Sequence, residues 1–370
     1  MKKSALQNLV PCALFILLCG LMCLVNLGPE RPESPGSKER ARVLQADNSN
    51  VERLGLALKG EQMLKVKILS GSHKGEVFDA QNVLRAQMDF DKMFEPGDDV
   101  LVSILDGADC RTDTVNAQDH YRLGLTAALF CLFAFLLVVF GGWTGAKALV
   151  SFAFCCAAIW KILIPLCLRG ANPILVSVFA VFILSAVIIF LVAGFTKKGF
   201  SALSGTMMGV LASCAAAWIF AGLFKINGAV MPFSQALLYS GYENLSLSDL
   251  YIGGVFLSSS GAVMDLSMDV ASGMEEVGRF RANFKTLFFA GIRIGRSVVG
   301  TMSTTLLLAY AGGYLTLLMA FMANGAEPAD FLNNPYIACE SVKTLVGSFG
   351  LVLVAPFTAL AGAFIMSEKK

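Results

Sequence analysis

Between about Leu9 and Leu27 the chain is almost uninterrupted apolar sequence, and over residues 28–119 the pattern changes character. Residues 28–40 (GPERPESPGSKER) are rich in proline, glycine and charge, which marks a linker. Beyond them apolar and polar residues alternate with period two. Residues 41–46, 63–69 and 100–105 read as strands, the second with Leu64, Val66 and Ile68 set against Lys65 and Lys67. Ser70-Gly71-Ser72, Lys74-Gly75 and Glu95-Pro96-Gly97-Asp98 supply turns. Short strands of this kind over residues 41–119 predict a small β-barrel-like domain of the OB or SH3-like type. His73 and Lys74 fall at a hairpin tip and read as a solvated turn.

After residue 120 the pattern changes again. Apolar runs of span length recur near 122–141, 148–168, 173–195, 201–224, 250–272, 297–322 and 344–366. With the N-terminal run they predict a polytopic α-helical membrane protein of about eight spans, the β-rich domain lying between spans 1 and 2. The N-terminal run lacks the small-x-small residues of a signal-peptidase site at Leu18-Cys19-Gly20 and at Asn26-Leu27-Gly28. Residues 1–27 therefore read as an uncleaved signal anchor, and residues 120–370 as a seven-span helical domain. Thr286 to Met322 is too long for one span. Residues 286–295 are accordingly expected to lie along the cytoplasmic face or to form a re-entrant segment.

Charge orients this topology. Alternation from a cytoplasmic Lys2-Lys3 puts Lys147, Lys197, Lys198, Arg279, Arg281, Lys285, Arg293, Arg296, Lys369 and Lys370 on the inner side. Arg122, Arg169, Lys225 and Lys343 remain for the outer loops and edges. That asymmetry predicts cytoplasmic termini and an extracytoplasmic segment 28–119. The composition agrees, with 56% hydrophobic residues, 15% charged and a mean hydropathy of +0.66, against about 25% charged in soluble domains. Residues 28–119 carry 12 Lys and Arg against 17 Asp and Glu, net −5, and the rest of the chain carries 17 against 10, net +7. An acidic barrel argues against a nucleic-acid partner.

The polar residues inside the apolar runs carry the candidate chemistry. In Tyr251–Gly273 the residues Ser258, Ala262, Asp265, Asp269 and Ser272 recur at steps of four and three, which aligns them on one face of a helix. Carboxylates at membrane depth are costly and face a bundle interior, a partner or water. Arg293, Ser297, Gly300, Thr301 and Thr304 form a second stripe, with Arg296 at its edge. Two carboxylates on one element and two guanidiniums on the next fit either ion pairing across a helix interface or a topology-setting basic loop beside a Ser/Thr-rich packing face. Lys161 sits mid-span and reads as inward-facing or snorkelling.

No GxSxG, HExxH or Walker A motif occurs, so no enzyme activity and no cofactor is expected. Most cysteines lie in apolar runs, and no CxxC pair or histidine cluster points to a metal. Only Cys110 and Cys339 fall in polar segments, where a disulfide requires both to face an oxidising compartment.

Three stretches resemble the YibE/F family of bacterial membrane proteins. The first is Ile68-Leu69-Ser70-Gly71 with Lys74-Gly75, Asn82 and Pro96-Gly97-Asp98. The second is Gly261-Ala262-Val263-Met264-Asp265 with Met268-Asp269-Val270-Ala271-Ser272. The third is Ile294-Gly295-Arg296, Gly300-Thr301-Met302 and Thr305-Leu306 through Ala309-Tyr310. The chain departs from the family pattern at Ser297, where an acidic residue usually follows the arginine, and at Thr304, where an amide is usual. The resemblance implies a multi-pass protein of the bacterial cytoplasmic membrane and supplies no substrate.

The leading functional expectation is a secondary transporter or permease-like protein. Asp265 and Asp269, with Ser258 and Ser272, would bind a small solute or ion beside the stripe of Arg293, Arg296, Thr301 and Thr304. The second is a non-transporting scaffold or sensor, embedded in the lipid bilayer, whose extracytoplasmic β-domain binds a partner.

Overall fold

The computed structural model describes Gly20 and residues 36–105, 114–280 and 282–367. The expected signal anchor and most of the expected linker, like Cys110, lie outside the described residues. The chain divides into two compact units, Glu30–Leu136 and, for the helices that follow, Leu137–Lys370.

The first unit holds six strands: β1 (Ser37–Asp47), β2 (Val51–Leu54), β3 (Ala57–Ile68), β4 (Val77–Arg85), β5 (Asp99–Leu105) and β6 (Thr114–His120). β1 pairs antiparallel with both β3 and β5, so the sheet closes on itself in the cyclic order β1–β3–β4–β6–β5. The β4–β6 pairing is parallel, and β2 only extends β3. The result is a five-strand barrel-like domain with a β2 extension. Alternation fills it: Leu64, Val66 and Ile68 on β3 and Val100, Val102 and Ile104 on β5 are all buried. Each such side chain contributes about 1.5–3 kcal/mol on burial.

The expected strands 41–46, 63–69 and 100–105 fall almost wholly within β1, β3 and β5. β4 escapes the alternation rule because one of its inward positions is polar. Ala80, Asn82 and Leu84 point inward, and Asn82 answers to Gln62 on β3. Gln62 is fully buried and makes four hydrogen bonds. Its Nε2 donates to the Phe94 carbonyl at 2.8 Å and to Asn48 Oδ1 at 2.7 Å. Its Oε1 accepts from Asn82 Nδ2 at 3.0 Å and from the Phe94 amide at 3.1 Å. This network ties the chain before β5 to the barrel wall.

The helices of the rest of the chain are α1 (Leu123–Ala158), α2 (Ile164–Leu168), α3 (Pro173–Ala193), α4 (Lys197–Leu223), α5 (Ser234–Tyr239), α6 (Leu247–Gly278), α7 (Phe284–Gly313), α8 (Leu315–Ala323), α9 (Pro328–Asn333) and α10 (Pro335–Met366). Their starts are written in the sequence as caps. Asn172, Thr196, Ser246, Asn283 and Asn334 each accept a backbone N–H of the first turn, and Pro173 and Pro335 occupy the first helical position. Among the described residues, five helical segments are long and apolar enough to cross a membrane, or six if the pair α7 and α8 counts as one broken span. Their apolar length associates the protein with a membrane.

The described helices give a coarser span count than the sequence pattern. α1 runs through a π-helical turn into α2 as one 46-residue segment, about 69 Å if straight. Gly142 leaves helical geometry (φ 54°, ψ −129°) at the expected break between the runs 122–141 and 148–168. Residues 286–295, expected along the cytoplasmic face or as a re-entrant segment, are helical and continuous with the run that follows. Those residues belong to α7, capped by Asn283. The break falls instead at Tyr314 (φ −114°, ψ 14°), where α7 and α8 meet at 65°.

α10 packs against α4, α6 and α7, and α6 also packs against α3 and α4. Small residues allow the close approach. A Cβ at Gly291 would come within 2.6 Å of Met274 Sδ and 2.8 Å of Ala359 Cβ. At Gly295 it would meet the Ala355 methyl at 2.5 Å.

Candidate functional site

α6 is a helix with two characters. Val255, Phe256, Val263, Leu266, Val270 and Met274 are buried among its neighbours, while Gly254, Ser258, Gly261, Asp265 and Asp269 form an exposed line. Ala262 and Ser272 are half-buried at its edge. Ser259, Ser260 and Ser267 of α6 turn inward. Ser259 and Ser260 donate to carbonyls one turn back, and Ser267 donates to the Ala202 carbonyl at 2.5 Å.

The second stripe lies on α7. Arg293, Arg296, Thr301 and Thr304 are all exposed. Thr301 and Thr304 donate to the Val298 and Gly300 carbonyls of their own helix at 2.9 and 3.0 Å.

The structure places the two stripes on adjacent helices and does not join them. Among the described residues no ion pair links Asp265 or Asp269 to Arg293 or Arg296. The reason is helical phase. α7 packs through Leu287, Gly291, Gly295 and Leu306, and at roughly 100° per residue Arg293, Arg296 and Thr304 fall on the far side of that face. Glycine, which carries no hydrophobic signal, decides which side approaches α6.

A second polar cluster, not expected from the sequence, sits where α6 and α10 begin and α7 ends. Glu340 and Lys343 of α10 pair at 3.6 Å, with side chains 18% and 25% exposed. The Lys343 ammonium lies 5.0 Å from the Tyr310 ring centre and 5.9 Å from that of Tyr314, within cation–π range. Tyr251 donates to the Cys339 carbonyl at 2.6 Å. Glu340 Oε2, the oxygen that faces the Lys343 ammonium at 3.6 Å, is buried and accepts no hydrogen bond. These groups border a cavity of about 840 Å³ lined by Tyr251, Ser258, Tyr314, Tyr336, Glu340 and Lys343 among others. A larger cavity, about 1030 Å³, is lined by apolar side chains such as Phe154, Ile162, Phe179 and Met207 and offers no polar chemistry.

Ser258 joins cluster and stripe. It lines the cavity, its hydroxyl is 3.1 Å from that of Tyr310, and it is the first polar side chain of the line that continues to Asp265 and Asp269. The cluster was not legible beforehand because Glu340 and Lys343, three residues apart, look like an ordinary helix-surface pair. Nothing local ties them to tyrosines from two other helices.

In the barrel, His73 is more than a solvated turn. Its Nδ1 lies 3.3 Å from Glu39 Oε1, and Glu39 is 3% exposed. The Ser72 amide and hydroxyl both donate to that same oxygen at 3.0 Å. Burial alone would raise the Glu39 pKa, and the bonds from Ser72 and His73 outweigh it, so the carboxyl sits below its ordinary 4.5. A side chain at Gly71 (φ +84°) would collide with Glu39, so the turn is built around the carboxylate. Lys74 is exposed. Cys339 is a buried thiol, and its suggested disulfide partner Cys110 lies outside the described residues. No group of three or more metal-ligating side chains occurs among the described residues.

Comparison with known proteins returns two family models. One, described as YibE/F-like protein, matches residues 129–368, and another, described as YibE/F family N-terminal domain, matches residues 38–119. No curated protein and no solved structure matches the chain.

Proposed function

The chain belongs to the YibE/F-like family, and from that premise we propose that it is a permease-like membrane protein that carries a small cation or cationic solute along α6. One observation supports the reading: Ser258 belongs both to the cavity around Glu340 and to the exposed line of Asp265 and Asp269. A rise of 1.5 Å per residue puts Asp265 about 10 Å and Asp269 about 16 Å along the helix from it. Glu340 would attract the cation at the cavity, and the two carboxylates would receive it in turn. No catalytic step, cofactor or metal is assigned.

In this proposal the termini and the α6–α7 connection are cytoplasmic, the barrel and the cavity face outward, and the membrane is the bacterial cytoplasmic membrane. The positive residues support that sidedness. Eight spans follow if residues 1–27 cross once and Gly142 divides two spans. With β2 set aside and β1, β3, β4, β5 and β6 counted as barrel strands one to five, the order is 1-2-3-5-4 with three and five parallel, which supports an OB-like reading of the domain. A partner for it outside the cell is part of the proposal.

One feature favours the second reading, a scaffold or sensor. Asp265 and Asp269 lie open at the side of their own helix, and a transport path needs walls. Proteoliposome uptake of labelled monovalent and divalent cations separates the two. Transport requires uptake by the wild type that Asp265→Asn abolishes; the absence of uptake by both would leave the scaffold.

A further inference from the structure

Two polar faces of this chain point away from its own core at matched depth, and their charges are opposite. Val270 of α6 lies against Gly295 of α7, and Met274 against Gly291. Continuing that antiparallel register sets Asp269 level with Arg296, Asp265 level with Gly300, and Gly261 level with Thr304. The 3.1 Å contact between Ser258 and Tyr310 fits the same register, because a long side chain leans toward the start of its helix.

We propose that a second copy of this chain covers these faces, so that the α6 stripe of each protomer meets the α7 stripe of its partner about a twofold axis along the membrane normal. Such an axis preserves depth, so each protomer's Asp269 meets its partner's Arg296, and the contact occurs twice. Arg296 stands level with Asp269 and one turn from the level of Asp265. Gly261 and Gly300 have no neighbour within 4 Å at their Cβ positions, which leaves room for the helices to approach.

Charge selects this occupant over others. Lipid cannot satisfy carboxylates and guanidiniums at this depth. The segment Leu123–Leu168 carries Lys147 and Lys161 and no carboxylate, so it would leave Arg296 unpaired. A second copy supplies both signs. The inference rests on exposure, register and charge, and it stands whether or not a solute moves.

The test is charge exchange in trans. Asp269→Arg places arginine against arginine in a homodimer, and Arg296→Asp places aspartate against aspartate. A mixed dimer of the two restores opposite charges at both contacts. The full chain is purified with two different tags and sized by light scattering and by single-molecule photobleaching in nanodiscs. The wild type should be dimeric, each single variant monomeric, and the two variants co-expressed should co-purify as a dimer. In addition, Gly261→Cys on one tagged copy should cross-link to Thr304→Cys on the other, in a cysteine-free background. This arm keeps every charge in place, so it holds if a charge variant fails to fold. Three results would overturn the proposal: a monomeric wild type, no cross-link between differently tagged copies, or rescue only when both charge changes share one chain.

Discussion

Removing Gln62 should damage the barrel far more than its polar character suggests. The side chain is fully buried, and all four of its hydrogen-bonding positions are used. Gln62→Ala removes four bonds at about 1 kcal/mol each. It also leaves the Phe94 amide and carbonyl without their partner inside the barrel. The expected loss is about 3–5 kcal/mol, a large share of a small domain's stability. Asn82→Ala loses two bonds, to Gln62 and to the Lys92 carbonyl, and should cost about 2 kcal/mol. The exposed Glu61→Ala is the control, expected to change stability by under about 0.5 kcal/mol. Urea unfolding of residues 36–122, followed by far-ultraviolet circular dichroism, measures all three. If Gln62→Ala behaves like Glu61→Ala, the network does not hold the barrel and the reasoning fails.

Three further outcomes are expected. The carboxyls of Glu39, Asp99 (bonded by Arg42 and Arg40) and Asp119 (held by Lys92, the His120 amide and Arg122 against its burial) all sit below their ordinary values. Groups depressed in this way stabilise fully above their unfolded values and lose that contribution as pH falls. The Tm of residues 36–122 should therefore hold from pH 7 to about 5 and drop below about 4. An equal Tm at pH 3 and pH 7 would contradict this. Gly291→Ala should lower the detergent melting temperature by overpacking Met274 and Ala359, at a cost of about 1–3 kcal/mol. Gly222→Ala, whose Cβ meets nothing, should not; equal effects would remove the close-packing account. In a cysteine-free background, a cysteine placed at Ser72 should label from outside intact cells and one at Ser367 only after permeabilisation. Labelling of both from one side would refute the sidedness.

What the sequence made legible follows from which signals are local. The α6 stripe could be read because helix period alone fixes which residues share a face. The β3 and β5 strands could be read because apolar side chains alternate along them. β4 could not, since its inward Asn82 becomes favourable only with Gln62 on another strand. Pairing of the two charged stripes was a reasonable expectation from charge and adjacency. It was decided instead by the rotation of α7, which Gly291 and Gly295 set through contacts with Met274, Ala359 and Ala355. The Glu340 cluster draws on α6, α7 and α10, so no window of sequence contains it. Tyr314 breaks the seventh expected span inside an apolar run, where hydropathy sees no boundary.

The central claim is that the cavity leads by a water-accessible line to Asp265. Cysteines introduced one at a time at Gly254, Ser258 and Asp265, in a cysteine-free background, test it with a membrane-impermeant thiol reagent applied from the outside. Positions on the buried face, Phe256 and Val263, serve as references. The account predicts modification at all three stripe positions, slowing with depth, and none at the references. A stripe as unreactive as Phe256 and Val263 would mean that the line is dry, and the permease reading would be wrong.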